Sequence, residues 1–332
     1  MEYYDERLHN MLRYKRPHNS TSEYDFTDIF LLNGQYDFYL LGDERDPAAY
    51  FVTIGESRTM FSCHVDTVHY EPGTQRIKYD REKKVYYKAD GQCLGADDTA
   101  GCWLMLEMMD AGVPGTYVFH RGEERGGIGS SWISENCHDF LRGFDRAIAF
   151  DRRGSTDVIT HQGWTRCASN AFADALADAF NEDGHSMYCA DDTGVFTDTA
   201  NYVDYIPECT NISCGYMHEH TGNETLHLPT LFALRDNCLR IDWESLPTER
   251  DPSKTEYLDD YGWQRSYYPT STKNNKLDND CLTGTDLYHM NRSAMYDLAY
   301  TDPELFVDLV RQELFGEFHD KEDTYETLRY GN

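Results

Sequence analysis

The chain has 332 residues, 40% of them hydrophobic and 14% aromatic, and its 59 acidic against 30 basic side chains give a formal charge of −29. That length suits two ordinary domains or one elaborated α/β domain, and the composition excludes wholesale disorder and a fibrous repeat. The negative charge repels phosphate backbones and acidic lipids, and no stretch approaches the ~18 uninterrupted apolar residues of a membrane helix, so neither nucleic acid nor membrane is expected as a partner.

The N-terminus, MEYYDERLHNMLRYKR, has no apolar stretch and no small-residue cleavage site. It is not a secretory signal, and a cytoplasmic protein is expected. Residues 1 to 32 read as an amphipathic helix followed by a polar connection. Short β-rich runs follow (YDFYLL, AYFVTI and RTMFSCHV), broken by turn residues such as GDERDP. IKYDREKKVYYKADG looks like a polar hairpin, and a helix begins near Asp98 with TAGCWLMLEMM. TYVFH and RAIAF are buried-strand candidates. A helix is expected from about Cys167 to Phe180, where Phe172, Leu176 and Phe180 recur every four residues.

A further strand is expected near TNISCG and a helix from about Pro229 to Ile241. Strands alternating with helices of this length predict an α/β fold: a mixed, mostly parallel central sheet with helices on both faces. Beyond residue 245 the chain turns rich in Tyr, Asp, Asn and Thr until TDPELFVDLVRQELFGEF. There Thr301 or Asp302 caps, and Pro303 and Glu304 open a final helix. Ten cysteines lie scattered without a CxxC pair and are expected as free, buried thiols.

Acids and imidazoles recur where the apolar strands end, the place where open α/β sheets put their ligand sites. They are His64 and Asp66 in FSCHVDTV, Asp97 in CLGADDTAG, and Glu123 and Glu124 in FHRGEERGGIGS. Asp151 follows in AIAFDRRG and His220 in SCGYMHEHTG. Singly, each has a plain reading: a His-x-Asp on a strand is two surface side chains, an Asp-Asp before a helix is a cap, a Glu-Glu in a loop is solvated. Together, so many acids at neighbouring strand ends repel and desolvate one another, and a pair of divalent cations resolves the conflict.

The ordered set HxD, GADD, GEExGxxGS, a strand ending in Asp, and GYxxEH resembles the co-catalytic zinc exopeptidases. The closest match is the aminopeptidase family that also holds glutaminyl cyclases and glutamate carboxypeptidase. The resemblance covers roughly residues 55–235. It implies that Asp97 bridges two Zn2+ ions, with His64 and Asp151 completing one site and Glu124 and His220 the other. Co2+ or Mn2+ suits the same donors. Asp66 then orients the ring of His64, and Glu123 is the general base, taking a proton from a metal-bridging water and returning it to the leaving amine. Relatives commonly carry a cis peptide at the position of Asp97–Asp98, and Gly95 and Gly101 ease the backbone around it.

Thr99 stands where relatives often have Lys or Asn, and His218 where they usually have Asn. His69, His120 and His161 are read as packing or surface residues. Relatives of the carboxypeptidase branch insert a lid of about a hundred residues before the last His. Here His220 follows Asp151 by only 69 residues, which leaves no room for one and favours the compact aminopeptidase type. DDTGVFTDTANY is expected as a loop near the metals, its Asp191, Asp192 and Asp198 either solvated or facing a substrate amine.

The chain accordingly divides into a helix and connection (1–45), a di-metal peptidase-like catalytic domain (46–244) and an appendage (245–332). The expected function is hydrolysis of an amide bond, foremost as an aminopeptidase on small peptides. The alternative substrate is an acylated amine, cleaved by an N-acyl or aminoacyl deacylase or a carboxypeptidase-type amidohydrolase. Lesser alternatives are glutaminyl cyclisation and a catalytically silent, metal-stabilised binding protein.

Overall fold

The computed structural model describes residues 4–257 apart from residue 89. Two helices open the chain, Glu6–Met11 (α1) and Thr21–Phe30 (α2), where the sequence suggests one helix and a connection. The cause is local. α1 ends at Met11, with Leu12 as its cap, and Arg16-Pro17 keeps a helix from running on through residues 16 and 17, since proline has no N–H to give and restricts the residue before it. Tyr14–Lys15 pairs instead with Gly73–Thr74. A second helix then starts on Ser20, whose side chain accepts the N–H of Glu23 at 3.2 Å.

Eight strands form the central sheet: Tyr39–Gly42 (β1), Pro47–Ile54 (β2), Thr59–His64 (β3), Gly115–His120 (β4), Arg146–Arg152 (β5), Asp157–Ile159 (β6), Cys189–Asp191 (β7) and Glu208–Ser213 (β8). Their spatial order is β7-β6-β8-β5-β3-β4-β2-β1. The inner four, β8, β5, β3 and β4, run parallel. Antiparallel pairings attach β2 and β1 on one side and β6 on the other. The mixed sheet expected from the sequence is thus present, with its parallel part at the centre.

Alternation along the inner strands feeds two cores. Phe61, Cys63, Tyr117, Phe119, Ile148 and Phe150 pack on one face with the helices Ala96–Asp110 (α3), Asn170–Asn181 (α5) and Leu228–Cys238 (α6). Met60, Val118 and Ala147 pack on the other with Ile133 of the helix Ile128–Asn136 (α4). α1 and α2 contribute Leu8, Met11, Leu12 and Phe26 to the first core.

α3 is buried around nearly its whole circumference, as a central helix must be when apolar on all sides. Gly101 permits its approach to β5: a Cβ there would lie 2.3 Å from the Phe150 carbonyl oxygen. The hairpin read from residues 77–91 is Lys78–Asp80 paired with Val85–Tyr87. It extends into a four-stranded sheet with Tyr216–Met217 and Thr225–His227.

After Trp243–Ser245 the chain stays on the body. Arg146 donates to the carbonyl of Leu246 and to Thr248, and Glu208 accepts the N–H groups of Glu249 and Arg250. The helix expected after Pro303 lies outside the described residues. Among those described, no helix is long and apolar enough to cross a membrane.

Candidate metal centre

The carboxyl ends of the parallel strands converge on one spot, and each expected residue is delivered there by a different element. His64 ends β3, and Asp151 is the next-to-last residue of β5. Glu123 and Glu124 form a single 3₁₀ turn after β4, Asp97 opens α3, and His220 sits in the loop between Tyr216–Met217 and Thr225–His227. Nε2 of His64 is 3.0 Å from Oδ1 of Asp97 and 3.4 Å from Oδ1 of Asp151. Nε2 of His220 is 3.0 Å from the other oxygen of Asp97 and 3.2 Å from Oε2 of Glu124. One carboxylate therefore faces two separate imidazole–carboxylate pairs.

So many ionisable groups in a desolvated space shift one another. Burial raises the Glu124 carboxyl to about 7. It also raises Glu123 well above the usual carboxylate range, with the charges of Asp151, Asp198 and Asp97 adding to it. Asp151 is raised by burial and by Asp97. Hydrogen bonds to Asp97 and Glu124 lift His220 to about 11. Burial would depress His64, but Asp151, Asp66 and Asp97 overcome it and hold the imidazole well above its ordinary value. Asp97 goes the other way: against desolvation, the two imidazoles keep its carboxyl far below the normal range.

Beneath this layer, buried acceptors fix the backbone. Asp66 faces Nδ1 of His64 with its main-chain oxygen at 3.1 Å, while its carboxylate lies 3.6 Å away. That carboxylate accepts the N–H groups of Gly122, Glu123 and Glu124 at 2.9, 3.1 and 3.2 Å. Asp66 thus shapes the Glu123–Glu124 turn as well as standing behind the ring. Asp98 accepts from the N–H of Gly101 and of His64. The Asp97–Asp98 peptide is cis, and Gly95 before it has φ +75°, a conformation glycine adopts at no steric cost.

Glu224, which no motif flags, is 2% exposed and takes four consecutive amides. Oε2 accepts from Leu94 and Gly95 at 2.7 and 2.9 Å, and Oε1 from Ala96 and Asp97 at 2.7 and 3.1 Å. Asp151 is held by the hydroxyls of Thr197 at 2.6 Å and Tyr216 at 3.1 Å.

The donors fit divalent metal ions. Oε1 of Glu124 is buried without a hydrogen-bond partner, an unsatisfied acceptor that a cation would satisfy. Ligand atoms of His64, Asp97 and Glu124 lie within 4.8 Å of one another, as do those of His64, Asp98 and Asp151. Asp98 is the weaker donor, because both its oxygens already serve backbone amides. Imidazole and carboxylate together suit zinc, cobalt or manganese.

Asp97, Glu123, Asp151 and His220 line a cavity of about 410 Å³, together with the apolar Ile159 and Phe196. The 191–202 segment borders it through Thr193 to Phe196. Asp198 is buried, 3.5 Å from Nδ1 of His120, whereas Asp192 is exposed. His120 packs between Ser62 and the hydroxyl of Tyr202, and His69 between Thr67 and Gln75. His161 is buried against Thr160, and His218 is exposed and does not line the cavity.

No protein-family profile matches the chain, and no curated protein matches it by sequence. Solved structures do. Aminopeptidase PepT from Bacillus cereus superposes with a TM-score of 0.57 over 70% of this chain and 96% of its own, at 13% identity. A tripeptidase from Staphylococcus aureus gives 0.58 over 70% and 95%, at 14%. A TET aminopeptidase from a marine sediment archaeon, Thaumarchaeota archaeon, gives 0.54 over 72% and 97%, at 10%. The chain shares its fold with these solved structures, which are aminopeptidases and a tripeptidase.

Proposed function

We propose that this protein is an aminopeptidase acting on small peptides with two divalent metal ions, zinc foremost. The observation that carries the proposal is the division of Asp97 between two imidazole–carboxylate pairs, each oxygen 3.0 Å from a different histidine. Asp97 would be shared between the two ions, with His64 and Asp151 holding one and Glu124 and His220 the other. Three protein ligands for each ion would leave a position for water or substrate, as catalytic zinc requires. When bound, the metal pair polarises the scissile carbonyl and lowers the pKa of water.

The chain's own groups do the rest. Glu123 lines the cavity and carries a carboxyl raised by burial, and it takes a proton from the attacking water and passes it to the leaving amine. Asp66 keeps both the His64 ring and the Glu123 amide in register. Described cysteines are all free thiols, which supports a reducing, cytoplasmic setting.

The test is mass-spectrometric detection of cleavage by the zinc-loaded protein on matched peptides with free and N-acetylated termini. Stepwise loss of N-terminal residues from the free set alone is expected. Cleavage confined to the acylated set selects a deacylase instead. Glu123→Ala should lower kcat by about 10²-fold or more while metal content stays at the wild-type level. A wild-type rate in that variant refutes the assigned base.

A further inference from the structure

Residues 13–27 lie outside the 55–235 stretch that carries the exopeptidase motifs, yet they run directly beneath the metal centre. Arg16 is fully buried there, its guanidinium over the ring of Phe26 at 4.1 Å. Nε donates to the carbonyl of Val65 at 2.5 Å and Nη2 to Oγ1 of Thr99 at 2.9 Å. Its main chain is pinned as well: the N–H donates to Oγ1 of Thr67, and the carbonyl accepts the N–H of Thr67 at 2.8 Å. Thr99 in turn donates to the carbonyl of Gly95 at 2.5 Å.

One planar fork therefore joins the strand extension that carries His64 and Asp66 to the first turn of α3, which carries Asp97. A second tie works beside it. Glu23, also fully buried, pairs with Arg121 at 3.1 Å, and Arg121 leads straight into the Gly122–Glu124 turn.

We propose that Arg16 is a positioning residue of the metal centre, a brace from the N-terminal segment that sets the separation of His64 and Asp97. The inference rests on the di-metal reading above. A buried arginine fork has a defined geometry that a lysine ammonium lacks, so the charge alone does not reproduce it. Outer partners of this kind govern metal affinity because they fix the direction of the ligands.

The experiment uses the full chain as wild type, Arg16→Met, Arg16→Lys and Leu31→Ala. Leu31 is buried at the end of α2, outside the hydrogen bonds and the ring contact that hold Arg16, and serves as a control for lost stability. Competition with a zinc chelator reads the affinity of each ion, beside kcat and KM at saturating zinc. Arg16→Met is expected to weaken at least one ion about 10- to 100-fold and to lower kcat with little change in KM. Arg16→Lys should recover only part of the affinity, and Leu31→Ala should bind zinc as wild type does. Equal affinity in Arg16→Met and wild type, a loss no greater than that of Leu31→Ala, or full recovery in Arg16→Lys overturns the brace. Wild-type protein that binds no zinc instead overturns the di-metal reading, and the brace with it.

Discussion

Replacing Glu224 by glutamine tests whether one buried carboxylate shapes the loop that presents Asp97. The change is nearly isosteric, so no cavity opens. Two amides point at each carboxylate oxygen, at distances of 2.7 to 3.1 Å. A glutamine keeps one oxygen for one pair and turns its NH₂ toward the other, so two charge-assisted bonds are lost and two donors face donors. At about 1.5–3 kcal/mol for each bond to a charged group, the loss is about 3–6 kcal/mol. That is a large share of the roughly 5–15 kcal/mol that holds a domain folded.

Burial raises the Glu224 carboxyl to about 7, so the comparison belongs near pH 8, where the carboxylate is charged. Urea unfolding followed by the fluorescence of the buried Trp103 and Trp243 reads the global loss. Hydrogen exchange at the amides of residues 94–97 reads the local one, which should appear as faster exchange there than in the strands. A stability within about 1 kcal/mol of wild type, with protection at 94–97 intact, refutes the role given to Glu224.

Three further outcomes follow from the same geometry. Asp97→Ala removes the carboxylate shared by both pairs, so metal analysis after dialysis should show both ions lost, and retention of two ions contradicts the bridging role. Gly101→Ala places a Cβ 2.3 Å from the carbonyl oxygen of Phe150, where backbone meets backbone and neither yields. A loss of about 3 kcal/mol or more in urea unfolding is expected, and a loss under about 1 kcal/mol shows that α3 can move off β5.

The metal-free protein should lose thermal stability between about pH 7 and about pH 10. Asp198 is raised to about 8 by burial, so it holds a proton the unfolded chain has already released, and this contribution fades as pH climbs through the folded value. His220, raised to about 11, contributes stability that is complete below the unfolded value near 6.5 and is lost as pH rises toward the folded one. Both act in the same direction. Zinc, which binds the deprotonated ligands, should flatten or reverse the slope, and a metal-free melting temperature that rises over this window contradicts the placement of these groups.

The strands and their ends were legible because a buried parallel sheet demands continuous apolar runs, and FSCHV, YVFH and AIAF provide them. Each run breaks into a carboxylate or an imidazole, and in an open α/β sheet such breaks are brought to a common edge. His64, Asp66, Asp97, Glu123, Glu124, Asp151 and His220 stood out together through residue type and place along the chain, while the division of ligands among them came from the resemblance to the zinc exopeptidases.

The supporting layer had no such signal. Glu224 is one glutamate in a polar loop, and only the return of that loop to residues 94–97 makes it an acceptor for four amides. Arg16 falls in what reads as an amphipathic helix and a polar connection, with nothing to mark it, and only the pairing of residues 13–16 with residues 67–75 buries it. Even Asp66, singled out as the partner of His64, spends its carboxylate on the backbone of a turn more than fifty residues away. Residue type and periodicity, which act locally, determined the elements and the chemistry at their ends. Hydrogen bonds between distant segments, which exist only once the chain has folded, decided how that chemistry is held.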